Sequence, residues 1–162
     1  MPLSEHLRGF LESHGVAYQV STHPKAFTAR EVATAEHLPA RELAKTVVIL
    51  GDGGYHMIVV PANKLIDFQE VRLALGFYQV RLATEEELGK LFPDCEIGAM
   101  PPFGPLWGLP VYLDRSLAGA PYLAFNAGTH LDVIHMRTED FRNLVTPTIA
   151  SLAREAALGQ AW

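Results

Sequence analysis

Four short stretches hold the residue types that can bind or turn over a small polar ligand. The first is Lys45, directly before the apolar run Thr46-Val47-Val48-Ile49-Leu50. A lysine at the mouth of a strand offers a compact cation to a phosphate or a carbonyl oxygen; the alternative is a solvated strand-end lysine. The second is Gly98-Ala99-Met100-Pro101-Pro102-Phe103-Gly104. Its glycines let backbone N–H groups approach a ligand and its prolines hold the loop stiff. That suits a wall that grips a substrate or steadies an oxyanion, although a turn around Phe103 as a core plug fits the same residues. The third is Asn126-Ala127-Gly128-Thr129-His130, where a histidine beside a glycine can bind substrate, orient a water or move a proton; a loop-edge histidine is the plainer reading. The fourth is His23-Pro24, five residues before Thr28. A turn leading into a helix N-terminus is a natural seat for a phosphate or carboxylate, and turn formation alone also accounts for it.

Other polar groups fit chemistry less well. His130 and His135 are five residues apart and face opposite sides of one strand, so they make a poor metal pair. Glu85-Glu86-Glu87 reads as a first helical turn favoured by the helix dipole rather than as a metal site. Cys95 is the single cysteine, which leaves no internal disulfide and no cysteine-based metal centre; it reads as a bystander rather than a nucleophile. Ser4, Ser13, Ser21, Ser116 and Ser151 lack a nucleophile-elbow setting. No glycine-rich dinucleotide or P-loop fingerprint follows a strand.

The elements that must position these groups are marked locally. Ser4 caps a helix with Leu7, Phe10 and Leu11 at helical spacing, stopped at Gly15. Val16 to Val20 reads as a strand. Thr28 with Glu31 forms a capping box for a second helix to about His37. Thr46–Leu50 and Tyr55–Val60 flank Gly51-Asp52-Gly53-Gly54, which predicts a hairpin. Capping boxes at Asp67/Glu70 and Thr84/Glu87 open helices ending near Gly76 and Phe92. The Pro/Gly-dense stretch 98–110 is an ordered loop rather than a linker, since neither side has elements enough for its own core. Strands follow at Val111–Leu113, Tyr122–Asn126 and His130–Met136. A short helix starts at Thr138, and another is expected from Thr148 to Leu158. Hairpins mixed with longer connections predict an α/β (mixed α+β) chain: one domain over residues 1–162, with a curved mixed sheet or partial barrel flanked by helices.

Composition bounds the partners. Of 162 residues, 49% are hydrophobic and 19% charged, which is globular composition with apolar material enough for a core. Net charge is −5, so a broad polyanion-binding surface is excluded and nucleic acid must be met by a local patch. The −5 belongs to residues 83–162; residues 1–82 balance, and they contain Lys45. The N-terminus lacks the basic start and apolar run of a signal peptide, and no stretch reaches membrane-span length. A soluble, cytoplasmic protein without membrane contact is expected.

Taken in order, Thr22-His23-Pro24-Lys25-Ala26-Phe27-Thr28-Ala29-Arg30-Glu31-Val32-Ala33, Ala44-Lys45-Thr46-Val47-Val48, Gly98 to Gly104, and Asn126 to His130 make a chain that resembles the YbaK/prolyl-tRNA-synthetase editing-domain family. The resemblance implies a single mixed α/β domain with a curved sheet, and hydrolysis of the ester joining a wrong amino acid to the terminal ribose of tRNA. It implies water attack helped by the substrate's ribose hydroxyl, with no cofactor, metal or covalent protein nucleophile. Lys45 matches the family's essential lysine, Gly98 to Gly104 its Gly-x-x-Pro-type loop, and Gly128 with His130 its Gly-x-x-His-type loop. The expected catalytic residues are therefore Lys45 and His130. The expected substrate-binding residues are His23, Thr28, Thr46, Gly98, Pro101, Phe103, Gly104, Asn126 and Gly128. Thr46 stands where alanine-removing members commonly have Asn and resembles the cysteine-removing relatives, but those usually carry a glycine-rich basic loop where this chain has Gly128-Thr129-His130. Ala, Cys, Ser and Thr all remain open as the amino acid removed. The expected partners are the 3′ end of an aminoacyl-tRNA and an aminoacyl-tRNA synthetase that selects the tRNA. Two other classes stand beside this one: a module that binds an aminoacyl or nucleotide group without hydrolysing it, and a homodimeric interaction protein.

Overall fold

The Asp-Gly-Gly turn sets the centre of the fold. Asp52 and Gly53 both take left-handed backbone, with φ of +48° and +89°, the geometry that lets a tight turn follow the twist of its two strands. The computed structural model, which describes residues 5–22 and 42–155, accordingly pairs β2 (Ala44–Gly51) with β3 (Gly54–Pro61) from Ala44↔Pro61 to Gly51↔Gly54. The Asp52 carboxylate accepts hydrogen bonds from the Tyr78 and Gln79 amides, which ties the turn to β5 (Val80–Leu82). Those amides, Gln79 first, hold the Asp52 carboxyl below its usual range.

Around the hairpin lies a five-stranded mixed sheet ordered β5-β2-β3-β6-β9, with β6 (Val111–Asp114) parallel to β3 and β9 (Thr148–Ala150) parallel to β6. A second, antiparallel sheet has the order β1-β8-β7, from β1 (Tyr18–Thr22), β7 (Tyr122–Asn126) and β8 (Asp132–Arg137). A two-stranded pair joins β4 (Lys64–Ile66) to β10 (Ala153–Glu155). The two larger sheets meet where Leu43 bridges Ala124. Helices flank them: α1 (Glu5–Ser13), α2 (Phe68–Leu75), α3 (Glu85–Leu91), α4 (Arg115–Ala118) and α5 (Thr138–Val145). The result is the expected mixed α/β domain with flanking helices; the strands divide among sheets and do not close a barrel.

The caps do what their spacing predicts. Asp67 accepts from the Gln69 and Glu70 amides and Gly76 ends α2 at φ +73°. Thr84 and Glu87 exchange both bonds of a capping box. Glu87 also takes a bidentate bond from Arg81 and one from the Tyr55 hydroxyl, which pins α3 to β3 and β5. In α1, Leu7 and Leu11 are fully buried and Gly15 follows at φ +65°. The Ser4 cap and the helix expected from Thr28 to His37 fall outside the described residues.

The helix expected from Thr148 is corrected by the structure. Residues 148–150 and 153–155 are strands, because β9 completes the edge of the large sheet against β6 and β10 pairs with β4. Between them Leu152 is fully buried, its amide donating to Asp114 Oδ1 at 2.8 Å and its carbonyl accepting from the Asp67 amide at 2.8 Å. Pairing with distant strands outweighs local helix preference there. Two strand starts also move, from Val16 to Tyr18 and from His130 to Asp132. Among the described residues no helix is long and apolar enough to cross a membrane.

The larger core lies between the two sheets and centres on Phe103, fully buried with ring centroids 6.0, 5.5 and 5.4 Å from Phe10, Phe125 and Phe141. The other face of the hairpin packs Val47, Ile49, Ile58 and Val60 against α2 and Leu152. Phe103→Ala should lower unfolding free energy by about 3–5 kcal/mol through lost burial and the cavity left behind; urea denaturation checks this, and a loss under 1 kcal/mol would contradict it.

Candidate functional site

The site grows from the seam between the sheets. Leu43 is held on two sides, by its bridge to Ala124 on β7 and by the Ala62 amide donating to its carbonyl at 2.8 Å. The next residues, Ala44, Lys45 and Thr46, open β2 and are fixed by pairing with Pro61, Val60 and Val59. Because β7 runs beside this point, its last residue, Asn126, arrives next to Lys45. The third wall is the start of the Pro/Gly loop. Together Leu43, Ala44, Lys45, Thr46, Gly98, Met100 and Asn126 line one cleft. Its empty space is about 330 Å³ out to the open mouth, and its enclosed interior is about 10 Å³, close to the room one water needs.

Its polar groups are prepared for a ligand. Burial pushes the Lys45 ammonium below its ordinary pKa, since a charge withdrawn from water is disfavoured. Thr46 is 8% exposed. Thr46 Oγ1 and Asn126 Oδ1 are both buried with no hydrogen-bond partner among the described residues. Leaving a buried polar atom unmatched costs about 1–3 kcal/mol, so residues 46 and 126, which line the cleft together with the half-buried Lys45, each carry an atom that a partner would stabilise.

The loops that carry Gly98 and His130 are laced together. Gly98 and Gly128 sit at φ +86° and +96°, backbone that side chains rarely adopt. The Gly128 amide donates to Ala99 O at 2.9 Å, and the Glu96 amide to Gly128 O at 2.8 Å. His130 Nε2 is 2.8 Å from Ile97 O, the distance of a ring N–H donating to that carbonyl, and its ring lies against Gly98. The His130 amide donates to Glu96 Oε1 at 2.6 Å. Behind this loop Asp132, 4% exposed, accepts from Thr129 Oγ1 at 2.6 Å and Thr22 Oγ1 at 2.9 Å.

The structure therefore brings Lys45, Thr46, Gly98 and Asn126 into one cleft, and among the other described candidates His130, Gly128, Phe103, Gly104 and Pro101 are not on its lining. His130 stands behind the Gly98 wall rather than on the cleft lining. Gly128 lines a neighbouring recess with Cys95, Glu96, Thr129 and Leu131. Phe103 is the core plug described above. Gly104 packs where a Cβ would lie 2.2 Å from Leu109 O, so its small size serves packing. Pro101 is buried beside these residues. His23 and Thr28 fall outside the described residues. Burial pushes the Cys95 thiol up to about 12, which keeps it protonated near neutral pH. Among the described residues no group of three His, Cys, Asp or Glu side chains is placed to hold a metal. Sequence reading missed Leu43, Ala44 and Met100 as lining and Glu96 as a partner of His130. Met100 lay within a flagged loop, whereas Glu96 carried no local signal.

Comparison with known proteins adds an independent line. The family profile described as an aminoacyl-tRNA editing domain matches residues 23–144. The chain is 25% identical to the multifunctional Ser/Thr-tRNA deacylase ProXp-y of Escherichia coli strain K12, covering 94% of this chain and 93% of that one. It is 30% identical over 81 residues to the proline–tRNA ligase of Thermosipho africanus, a stretch that is half of this chain but 14% of the ligase. A crystal structure described as a candidate trans-editing enzyme for prolyl tRNA synthetase superposes with a TM-score of 0.81 at 28% identity, over 94% of this chain and 99% of the other.

The buried ammonium makes a prediction about stability. With its pKa lowered by folding, Lys45 costs stability in full below its folded value. Between that value and the ordinary 10.5 the unfolded chain binds more protons, so this cost fades as pH rises. Lys45→Met should melt at a higher temperature than the wild type at pH 7, with the gap closing as pH approaches the ordinary lysine value. Thermal unfolding across that range tests it; a variant that melts lower at pH 7 would contradict it.

Proposed function

The chain belongs to the aminoacyl-tRNA editing domain family, and we propose that residues 1–162 form one editing domain that works as a trans-acting aminoacyl-tRNA deacylase, clearing a small wrong amino acid from tRNA in the cytoplasm. One observation carries this reading: a half-buried lysine lines a cleft together with Thr46 and Asn126, each of which has a buried oxygen without a hydrogen-bond partner among the described residues. In the reaction, water adds to the ester carbonyl carbon, the bond to the ribose oxygen breaks, and the free amino acid and tRNA leave. The Lys45 ammonium faces the carbonyl oxygen or the terminal phosphate, where negative charge sits or develops. Removed from bulk water, it acts there in a lower dielectric and more strongly than on a surface. Thr46 Oγ1 and Asn126 Oδ1 accept from the substrate's ammonium or, for Ser and Thr, its hydroxyl. Main chain at Gly98 and the Met100 side chain limit the size of the amino acid.

Ala, Cys, Ser and Thr remain the candidates, and the two unmatched oxygens favour the hydroxylated pair, whose extra donor can satisfy one of them. The ligand presents one tip, the aminoacylated 3′ end, which a chain of net charge −5 can receive without a basic surface. Selection of the tRNA body then falls to a partner, and a synthetase is the natural one.

A panel of tRNAs charged with Ala, Cys, Ser, Thr and Pro provides the test. Wild type should release at least one small amino acid, and Lys45→Ala should slow that release by about 10²- to 10³-fold, the usual cost of losing a group that stabilises a developing oxyanion. His130→Ala should change the rate or the amino-acid preference with the fold intact. A wild type that binds charged tRNA yet releases nothing, at high enzyme concentration, would leave a binding module instead.

A further inference from the structure

We infer that Glu96 is a positioning residue for this reaction, setting the Gly98 wall of the cleft through the main chain of His130; the inference rests on the deacylase reading. Four hydrogen bonds join residues 96–99 to residues 128–130: Glu96 amide to Gly128 O, Gly128 amide to Ala99 O, His130 ring to Ile97 O and His130 amide to Glu96 Oε1. Three of them use only main chain or the histidine ring. The fourth is the one made by a carboxylate, an acceptor that binds an N–H more strongly than a neutral carbonyl does when ionised.

Its place in the chain explains what it does. Gly98 and Gly128 both turn through left-handed backbone and supply no side chain to hold their loops. The His130 ring bonds the Ile97 carbonyl next to Gly98 and lies 3.5 Å from where a Gly98 Cβ would sit, so a swing of residue 130 shifts the backbone that lines the cleft with Lys45, Thr46 and Asn126. Glu96 stops that swing by fixing the residue 130 amide, two positions before the wall itself. The far side of the same loop is fastened separately, with Thr129 Oγ1 donating to Asp132 and accepting from the Leu131 and Asp132 amides. Removing the Glu96 carboxylate therefore loosens the wall while leaving the loop attached to β8. Glu96 is itself exposed, so its loss opens no cavity in the core. A reacting geometry displaced by about 1 Å loses up to about 10²-fold in rate.

Glu96→Ala should lower kcat on the preferred charged tRNA about tenfold with KM within about twofold of wild type. Glu96→Gln, whose amide oxygen can accept the same N–H, should keep kcat within about threefold. Hydrogen exchange of the His130 amide, followed by NMR, should speed up at least tenfold in Glu96→Ala and little in Glu96→Gln, with both variants melting within a few degrees of wild type. Unchanged kcat in Glu96→Ala overturns the inference, as does a Glu96→Gln as slow as Glu96→Ala, or His130 exchange that ignores the substitution. A wild type idle on the whole panel removes the deacylase reading and this role with it, an outcome separable from all three.

Discussion

A lysine ammonium gives up hydration reluctantly, and most of the architecture around Lys45 exists to make it do so. The residue is carried at the first pairs of β2, where the strand is held on one side by β3 and where Leu43 just before it is bridged to β7. No side-chain motion can carry its Cα out of that seam without breaking both sheets. Met100, Ala44 and Leu43 line the cleft beside it, and burial lowers its pKa. The same burial that makes the charge costly makes it effective: an oxyanion or phosphate entering the cleft meets a cation that water no longer screens. Rigid pairing, a depressed pKa and electrostatic strength are one arrangement seen from three sides.

The unmatched oxygens extend this logic. Thr46 lies next to Lys45 in sequence, and Asn126 is brought there by β7, so the two polar atoms approach from different sheets. Each is costly in the empty protein, and a ligand that donates to both recovers that cost on binding. A cleft that is both cationic and rich in acceptors selects a zwitterion-like group: a carbonyl or phosphate oxygen toward Lys45 and an ammonium or hydroxyl toward the oxygens. An aminoacyl ester has that distribution.

The parts readable in the sequence were those decided within a few residues. The Asp-Gly-Gly hairpin, the Asp67 and Thr84 caps and the α1 stripe of Leu7 and Leu11 all depend on neighbours in the chain, and all are found in the structure. Lys45, Thr46, Gly98 and Asn126 could be nominated by type, but their meeting depends on the bridge from Leu43 to Ala124, 81 residues on (124 − 43), which no local pattern encodes. Phe103 shows the limit from the other direction: its loop composition suits a ligand wall and a core plug equally, and three aromatic partners from α1, β7 and α5 decide for the plug. The last strands went unread because β9 and β10 form only against β6 and β4. Glu96 faces solvent in the fold as well, and only its hydrogen bond from the His130 amide sets it apart.

Charge placement shapes how a nucleic acid can approach. The excess of acid lies in residues 83–162, and Asp94 and Glu96 stand beside Gly128 and Thr129 on the recess next to the cleft. A phosphate backbone running across that face would meet two carboxylates, each repelling it over about 10 Å at ordinary ionic strength. Lys45 stands in the half of the chain whose charges balance. A polyanion would therefore be repelled from the Gly128 side, and under the proposed function the 3′ end alone has to reach the ammonium. On this view the acidic flank limits the depth and direction of entry, and the glutamate that steadies the Gly98 wall is also one of the charges that keeps the wrong part of the substrate off it.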